Sequence, residues 1–467
     1  MNQGISSSTA QAQMNPAPSH LSHGGPDALG IPPHDFSTNA NACGPCPPVL
    51  QALQQASVHT YPDPACTAVR QRLGRWHGVD AARIVIGASA SELIFRLTAA
   101  LGMIGQGRQA GAGVPSAHDP LPVRAGLPLA GASPLPPPVV WVPRHAYGDY
   151  ARAAHAHGLP VRVWDTVRDT PQEAADSSRS GASCPLQLLW ATEPSSPLGH
   201  TPEGLADAVH TRSSHARQTA TVLQGVPGDS PPLWVLDRAY APLRLSGTDP
   251  FTPAALDVVW QLFSPNKALG MTGVRGAWLV APAACLNDSG SLQAELFGRL
   301  QALAPSWPLG AHGEAMLMAW PEPAVQQWLA LSLDTLRDWK ARLEEGLRRR
   351  GWTVLPSVST FCCARPPRSA LEAALSMMRP SDMPTPAADR FTPANQVPDT
   401  RGSSTPFGHA MRDAHTPGER TQLALLAMLR QQGIKLRDAT SFGLPGWFRL
   451  GVRPPESQQA LWRALEG

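Results

Sequence analysis

The sequence lacks both a long apolar run and an excess of charge of one sign. No apolar stretch in it approaches the roughly 18–20 residues that a membrane-spanning helix requires. The chain has 38 basic and 35 acidic residues, and the resulting formal charge of +3 is too small to indicate a polyanionic partner. We therefore expect no nucleic-acid partner and no membrane partner.

Features of secreted proteins are scarce as well. The first residues, Met-Asn-Gln-Gly-Ile-Ser-Ser-Ser, contain no basic region followed by an apolar stretch, which is the pattern of a secretory signal. The seven cysteines are scattered and odd in number, which suits a reducing compartment better than a disulfide framework. These absences predict a cytoplasmic protein.

Two of the cysteines form a Cys43-Gly-Pro-Cys46 motif, which has the spacing of a thioredoxin-like redox pair. That function needs a preceding strand and a following helix that lowers the thiol pKa. Here a polar stretch precedes the motif and Pro47-Pro48 follows it. A zinc site would need Cys66 too, and no second pair has ligand spacing. A redox function stays open as an alternative, and we expect no metal site.

Proline and glycine, by contrast, are plentiful, with 50 and 40 residues that cluster with alanine, serine and threonine. Segments of this composition bury too little apolar surface to offset the entropy of ordering, so we expect a disordered tail and mobile insertions. The 467 residues still suffice for two domains. The biased segments are residues 1–19, about 105–138, about 168–185, about 212–232 and about 366–418.

Seven short apolar runs indicate the strands of one sheet. Most are continuous and rich in strand-forming residues, as expected for strands that are covered on both faces. Helical patterns, such as residues 91–100 and 147–157, lie between them. This alternation predicts an α/β domain with a mostly parallel sheet and with ligands bound at the strand C-termini. The runs are residues 83–87, 138–142, 160–164, 186–191, 233–236, 258–263 and 277–281.

The C-terminal part has a different pattern. Residues 322–350 predict a long helix with arginines in its last turn and a glycine after its end. We expect a large cofactor-binding domain over residues 71–300 and a smaller α+β domain over residues 301–467, against which residues 20–70 pack. The other predicted elements of the smaller domain are strands at 353–355, 360–363 and 447–452 and a helix at about 419–432.

An acid and an amine stand thirty residues apart at the ends of two predicted strands. Leu233-Trp-Val-Leu-Asp237-Arg-Ala-Tyr240 predicts a buried strand that ends in Asp237, and Lys267 follows in Ser264-Pro-Asn-Lys267. A lysine amine can condense with an aldehyde, and a carboxylate can keep a pyridine nitrogen protonated. Tyr240 can hydrogen-bond an oxygen substituent on the same pyridine ring. A surface lysine and a capping aspartate are the ordinary alternatives, but together these residues indicate a pyridoxal phosphate (PLP) site.

Four neighbouring residues suit the phosphate of such a cofactor. Ser264 and Arg275 flank the lysine and offer a hydroxyl and a fork of N–H groups. Ala90 and Ser91 lie in a turn of small residues that joins the first predicted strand to a helix, and a helix N-terminus attracts anions. An ordinary capped turn has the same pattern.

An aromatic residue and two arginines are candidates for contact with the ring and the substrate. Tyr147 begins a helix after the second strand and can stack on a cofactor ring, although a core tyrosine has the same pattern. Arg449 lies inside an apolar strand with no acid close in sequence. Because a buried arginine is costly unless paired, a substrate carboxylate is its expected partner. Arg437 can assist, and Asp438 offers it a local ion pair instead.

These residues resemble the fold-type I, aspartate aminotransferase superfamily of PLP enzymes, and within it the class I/II group that holds histidinol-phosphate aminotransferase and threonine-phosphate decarboxylase. The marks are Asp237-x-x-Tyr240, Ser264-x-x-Lys267, Arg275 and the seven apolar runs. The resemblance implies an aspartate-aminotransferase-like fold. Tyr61, in Thr60-Tyr-Pro, matches a signature whose tyrosine reaches the phosphate of the neighbouring subunit, which implies a homodimer.

The N-terminus resembles threonine-phosphate decarboxylases in His23-Gly-Gly25 and in Asp35-Phe-Ser-Thr-Asn39. The resemblance implies that His23 and Asn39 hold an amino acid phosphate substrate. The expected function is PLP-dependent decarboxylation of L-threonine O-3-phosphate to (R)-1-aminopropan-2-yl phosphate in cobalamin biosynthesis. A class I/II aminotransferase, such as histidinol-phosphate aminotransferase, is the alternative.

One position departs from the pattern of this group. The turn Asn-Pro-x-Asn-Pro-x-Gly stands here as Glu193-Pro-Ser-Ser196-Pro-Leu-Gly199. Ser196 therefore replaces the asparagine that bonds the ring hydroxyl, and its shorter side chain is expected to donate there instead. A catalytically impaired PLP-binding protein is a further alternative on this ground.

Overall fold

The computed structural model describes residues 24–27, 29–109, 136–171, 185–219, 232–377 and 417–466. His23, the predicted tail and most of each predicted insertion lie outside the described residues. Among the described residues, no helix has both the length and the apolar character needed to cross a lipid bilayer.

The N-terminal segment lies against two distant parts of the chain. Its strand β1 (His34–Asp35) pairs in parallel with residues 434–435. The loop that follows leads to helices α1 (Pro47–Gln54) and α2 (Thr67–His77). In this loop the Asn41 N–H donates to the carbonyl of Lys267 over 2.8 Å. The segment therefore supports the backbone at the predicted catalytic lysine.

All seven apolar runs form strands of one sheet, as predicted. In space the strands follow the order β2, β8, β7, β6, β5, β3, β4. Only β8 runs antiparallel to its neighbours, and the other pairings in the sheet are parallel, which confirms the α/β class. The strands are β2 (Ile84–Gly87), β3 (Val139–Pro143), β4 (Val161–Trp164), β5 (Gln187–Thr192), β6 (Leu233–Asp237), β7 (Trp260–Phe263) and β8 (Ala277–Val280).

Helices cover both faces of this sheet, so β5 and β6 are buried along their whole length. In helix α3, for example, Leu101 and Ile104 pack into the core. The ends of α3 and α5, residues 105–109 and 212–219, belong to stretches that were predicted as insertions, but they continue these helices instead. The helices are α3 (Ala90–Gln109), α4 (Asp149–Ala156), α5 (Leu205–Thr219), α6 (Pro253–Leu256) and α7 (Ala284–Asn287).

The C-terminal part begins with helices α8 (Leu292–Ala302), α9 (Ala311–Ala319) and α10 (Pro323–Arg349). The last of these is the predicted long helix. It buries one apolar stripe, which includes Leu336, Leu343 and Leu347 and packs into the core of the smaller sheet.

The smaller sheet is antiparallel, with strand order β12, β13, β10, β9. Its strands are β9 (Thr353–Val354), β10 (Phe361–Arg365), β12 (Arg437–Asp438) and β13 (Phe448–Gly451), while β11 (Ile434–Lys435) is the partner of β1. The helices around it are α11 (Arg368–Met377), α12 (Pro417–Gln431) and α13 (Pro455–Glu466). Helix α11 lies within the stretch that was predicted as an insertion. It packs on the core because Leu371 and Ala374 give it an apolar face.

Candidate active site

One cavity opens where the C-terminal ends of β5, β6 and β7 meet the smaller sheet and the N-terminal segment. All the candidate residues that the structure describes, except Tyr61, line it, so the fold brings together side chains from distant parts of the chain. The candidates that line the cavity are Asn39, Ala90, Ser91, Tyr147, Ser196, Asp237, Tyr240, Ser264, Lys267, Arg275, Arg437 and Arg449.

Asp237 ends strand β6 and is almost fully buried. The Tyr150 hydroxyl donates to its Oδ2 over 2.6 Å, and the Ala239 N–H donates to its Oδ1 over 2.9 Å. Burial raises the pKa of Asp237, against the opposing effects of these hydrogen bonds and of the Lys267 charge. A buried carboxylate of this kind suits a cationic N–H donor, such as a protonated pyridine nitrogen.

Lys267 follows strand β7, and its Nζ lies 5.5 Å from the centre of the Tyr240 ring. No hydrogen bond or ion pair to Nζ forms within the part of the chain that the structure describes. The amine is therefore available to condense with an aldehyde. Its backbone is held by Asn41 (2.8 Å to the Lys267 carbonyl) and by the turn in which Met271 N–H donates to the Asn266 carbonyl over 2.8 Å.

The four phosphate candidates, Ala90, Ser91, Ser264 and Arg275, all line the cavity. Ser89 caps helix α3, since the Glu92 N–H donates to its Oγ over 3.1 Å, so Ala90 and Ser91 occupy the first helical turn. The N-terminus of this 20-residue helix carries the positive end of the helix dipole. The Arg275 guanidinium adds a fork of N–H donors that suits a phosphate. The Ser264 hydroxyl, which here donates to Asn266 Oδ1 over 2.8 Å, would have to turn toward the anion to join it.

Tyr147 also lines the cavity. Its hydroxyl lies 3.1 Å from Ser91 Oγ, and its ring meets the Tyr150 ring edge-on, with centroids 5.9 Å apart. Burial raises the pKa of Tyr147, so the phenol stays neutral. That Tyr147 stacks on a cofactor ring stays a prediction.

Tyr61 does not line the cavity of its own chain. The side chain is 79% exposed, and its ring stacks on Trp307 with centroids 4.7 Å apart. It shares an outer hollow with Arg275, which also lines the cavity. Its predicted contact with a neighbouring subunit stays a prediction.

Arg449 lies on strand β13 of the smaller sheet and lines the cavity. Its Nη1 donates to Ser196 Oγ over 3.1 Å, and its Nη2 donates to the Ser37 carbonyl over 3.3 Å. The Asn39 amide, with its oxygen turned toward the guanidinium, accepts from Nε over 3.0 Å. Burial lowers the pKa of Arg449. The atoms that accept its hydrogen bonds are neutral oxygens of Ser196, Ser37 and Asn39. None of these contacts neutralises the charge of Arg449.

Arg437 lies opposite Arg449 in the smaller sheet. Its Nη2 donates to Ser441 Oγ over 3.0 Å, whereas its Nη1 is buried and has no hydrogen-bond partner among the described residues. The local ion pair with Asp438 does not form: Asp438 Oδ1 accepts instead from Thr440 N–H and from Gln422 Nε2, each over 2.8 Å. Burial and the nearby Arg449 charge lower the pKa of Arg437 to about 10.

Sequence reasoning missed several cavity residues, of which Tyr150 is the most important. Thr192 and Phe442 also line the cavity. The chain has only four tyrosines, and Tyr147, Tyr150 and Tyr240 all line this cavity. The scarcity of tyrosine was a usable signal.

The Cys43-Gly-Pro-Cys46 motif supports the lysine loop and does not have the features of a redox pair. Burial raises the pKa of both thiols, which is opposite to the lowered pKa that redox chemistry requires. The Cys46 N–H donates to the Leu269 carbonyl over 2.9 Å. A Cβ on Gly44 would lie 2.7 Å from the Gly270 Cα, so only glycine permits this close approach.

Comparison of this sequence with known proteins gives a match to one family and to similar sequences. Residues 234–466 match the family model described as aminotransferase class I and II. A histidinol-phosphate aminotransferase of Rhodospirillum rubrum is 26% identical over 442 residues, which cover 92% of this chain and 88% of that protein.

Two solved structures share the fold. The histidinol-phosphate aminotransferase of Sinorhizobium meliloti, solved in complex with PLP, superposes with a TM-score of 0.56 at 18% identity, over 92% of this chain and 88% of that one. The L-threonine-O-3-phosphate decarboxylase of Porphyromonas gingivalis superposes with a TM-score of 0.52 at 14% identity, over 90% and 94%.

Proposed function

Because the chain belongs to the fold-type I, PLP-dependent enzymes of the class I and II aminotransferase family, we propose that it is an aminotransferase for a phosphorylated amine, with histidinol phosphate as the first substrate to test. Relatives that cover most of the chain carry that name. This proposal replaces the decarboxylase as the favoured function, since the decarboxylase shares only the fold.

The observation that carries the proposal is the charge of the cavity. Among the described residues, its charged lining side chains are the cations Lys267, Arg275, Arg437 and Arg449 and the single acid Asp237. Such a surplus of positive charge attracts anionic ligands. With the cofactor phosphate at Arg275, Arg437 and Arg449 are left for the anionic groups of the substrates, which in transamination include the two carboxylates of 2-oxoglutarate.

PLP, when bound, supplies an electron sink that stabilises negative charge on the substrate carbon next to the amine. Asp237 would hold the pyridine nitrogen and its proton. Ser91, Ser264 and Arg275 would hold the phosphate. Lys267 would move the proton at the substrate Cα.

Decarboxylation of threonine phosphate is the second candidate. The segment whose sequence resembles decarboxylases forms part of the site: Gly24, Ser37 and Asn39 line the cavity, and the Gly25 N–H donates to Ser37 Oγ over 2.9 Å. A carboxylate held by Arg449 against this segment would suit loss of carbon dioxide.

Ser196 does not weaken the enzymatic interpretation. Its Oγ accepts from Arg449 and it lines the cavity, so its own hydroxyl hydrogen is available for the cofactor oxygen. The interpretation as an impaired binding protein therefore has no support at this position.

Two assays on the purified, PLP-loaded protein test the proposal. Histidinol phosphate with 2-oxoglutarate should yield glutamate, and threonine phosphate alone should release no carbon dioxide. Lys267→Ala is the blank for both. Carbon dioxide without glutamate would establish the second candidate, and a protein that takes up no PLP would overturn both.

A further inference from the structure

A short turn of the smaller sheet carries two side chains of the cavity wall. It is a 3-10 turn, Thr440–Phe442, and both Ser441 and Phe442 line the cavity. The Phe442 ring contacts the guanidinium groups of Arg437 and Arg449, each with its Cζ 5.1 Å from the ring centre. Phe442 thus packs against both cations at once, so a shift of the turn would move a group that contacts each of them.

This turn is fastened to the cofactor side by one side chain from a distant part of the sequence. His145 Nδ1 lies 2.7 Å from the Phe442 carbonyl oxygen. Because a carbonyl can only accept, Nδ1 carries the hydrogen and donates it. His145 stands two residues before Tyr147, which lines the cavity. This hydrogen bond therefore joins the Thr440–Phe442 turn directly to the segment that carries Tyr147.

The backbone of Gly443 provides a second, independent sign of this close fit. Gly443 ends the turn with φ +76°, and a Cβ at this position would lie 3.3 Å from His145 Nδ1. A side chain here would adopt an unfavourable backbone conformation and press on the imidazole. The turn is built to approach His145 closely.

We propose that His145 is a positioning residue, which fixes the Thr440–Phe442 turn against the cofactor side and so sets how Arg437 and Arg449 meet an anionic substrate. The inference rests on the proposed function only in taking that anion to be the substrate. His145 itself does not line the cavity, so its effect passes through Phe442.

The test compares His145→Ala with His145→Asn, because an asparagine Nδ2 can take the place of the imidazole Nδ1. His155→Ala, at an exposed position of helix α4, is the control. Binding of 2-oxoglutarate and of inorganic phosphate is followed through the absorbance of the bound cofactor. KM, kcat and the PLP affinity are measured on the same samples, together with hydrogen exchange of residues 439–447.

Loss of one hydrogen bond should weaken anion binding and raise KM about three- to tenfold in His145→Ala. We expect a smaller change in kcat, an unchanged PLP affinity and faster exchange in the turn. His145→Asn should recover most of the binding, and His155→Ala should match the wild type.

Anion binding in His145→Ala equal to that of the wild type would overturn the inference. Equal losses in the alanine and asparagine variants, a matching loss of PLP affinity, or a wild type that binds neither anion would overturn it too. If the asparagine variant recovers anion binding but no substrate is transaminated, the inference stands and the proposed function fails.

Discussion

The Tyr150 hydroxyl donates to Asp237 Oδ2 over 2.6 Å, with Thr192 Oγ1 3.1 Å from the same hydroxyl. Asp237 ends a strand and Tyr150 lies on helix α4, so the contact joins two layers of the large domain. The hydroxyl lowers the pKa of a carboxyl group that burial raises. It thereby helps to keep the carboxylate charged, as a cationic ring nitrogen requires.

Tyr150→Phe should accordingly weaken PLP binding and lower kcat. The phenylalanine ring can keep the stacking on Trp190, whose centroid lies 4.6 Å away, so the change isolates the hydroxyl. A hydrogen bond to a charged group contributes about 1.5–3 kcal/mol, which corresponds to a loss of PLP affinity of roughly ten- to a hundredfold. Absorbance titration with PLP measures it.

Tyr147→Phe is the comparison for this variant. It removes a hydroxyl that lies 3.1 Å from Ser91 Oγ and does not contact Asp237. It should weaken PLP binding less than Tyr150→Phe. The opposite order would mean that Tyr150 has no part in holding the carboxylate.

Lys267→Ala should remove the reaction and leave the fold intact. The Nζ makes no hydrogen bond or ion pair within the described residues, so its loss should change the free energy of unfolding of the PLP-free protein by less than about 1 kcal/mol. Activity should fall to the blank, and borohydride should no longer fix PLP to the protein. Lys267→Arg, which keeps the charge but cannot condense with the aldehyde, should behave alike. Residual turnover in either variant would contradict the role of Lys267.

The sequence allowed the acid, the amine and their strands to be predicted, because continuous apolar runs mark buried strands and polar residues mark their ends. The Tyr150–Asp237 contact could not be predicted in this way, since it depends on how α4 packs on the sheet. The surroundings of Arg437 were equally out of reach. Asp438 is its neighbour in sequence, yet adjacent strand residues point to opposite faces, and Asp438 bonds Gln422 instead.

Arg437 and Arg449, the two arginines proposed to bind the substrate, should change the stability of the protein in opposite directions when they are replaced. Arg437 has a buried Nη1 without a partner among the described residues, so Arg437→Met should raise the free energy of unfolding by on the order of 1 kcal/mol, since an uncompensated buried charge is lost. Arg449→Met should lower it by about 1–3 kcal/mol, because Asn39 and Ser196 lose their donor. Denaturant unfolding of the PLP-free proteins measures both.

Both arginine variants should raise KM for anionic substrates at least about tenfold. A stabilised Arg437→Met with an unchanged KM would mean that the arginine does not meet the substrate. Equal destabilisation of the two variants would mean that Arg437 has a structural partner after all.

The stability of the PLP-free protein should depend on pH through Asp237. Its pKa is raised above the ordinary value of 3.8 in the folded state, so the folded state binds the proton more tightly than the unfolded state. The unfolded state then binds fewer protons, and the free energy of unfolding falls as pH rises from about 3.8 through the raised pKa. The loss is about 1.4 kcal/mol for each unit by which the pKa is raised.

Asp237→Asn removes this titration and can keep an oxygen that accepts from Tyr150. The difference in unfolding free energy between the variant and the wild type should therefore increase in favour of the variant between pH 3.8 and neutrality, and level off above the raised pKa. Saturating PLP should abolish the advantage, because a protonated ring nitrogen beside the carboxylate favours its charged form. A difference that stays constant over this range would show that burial does not raise the pKa of Asp237. It would also show that the PLP-free site holds no unpaired carboxylate charge with which the ring nitrogen could pair.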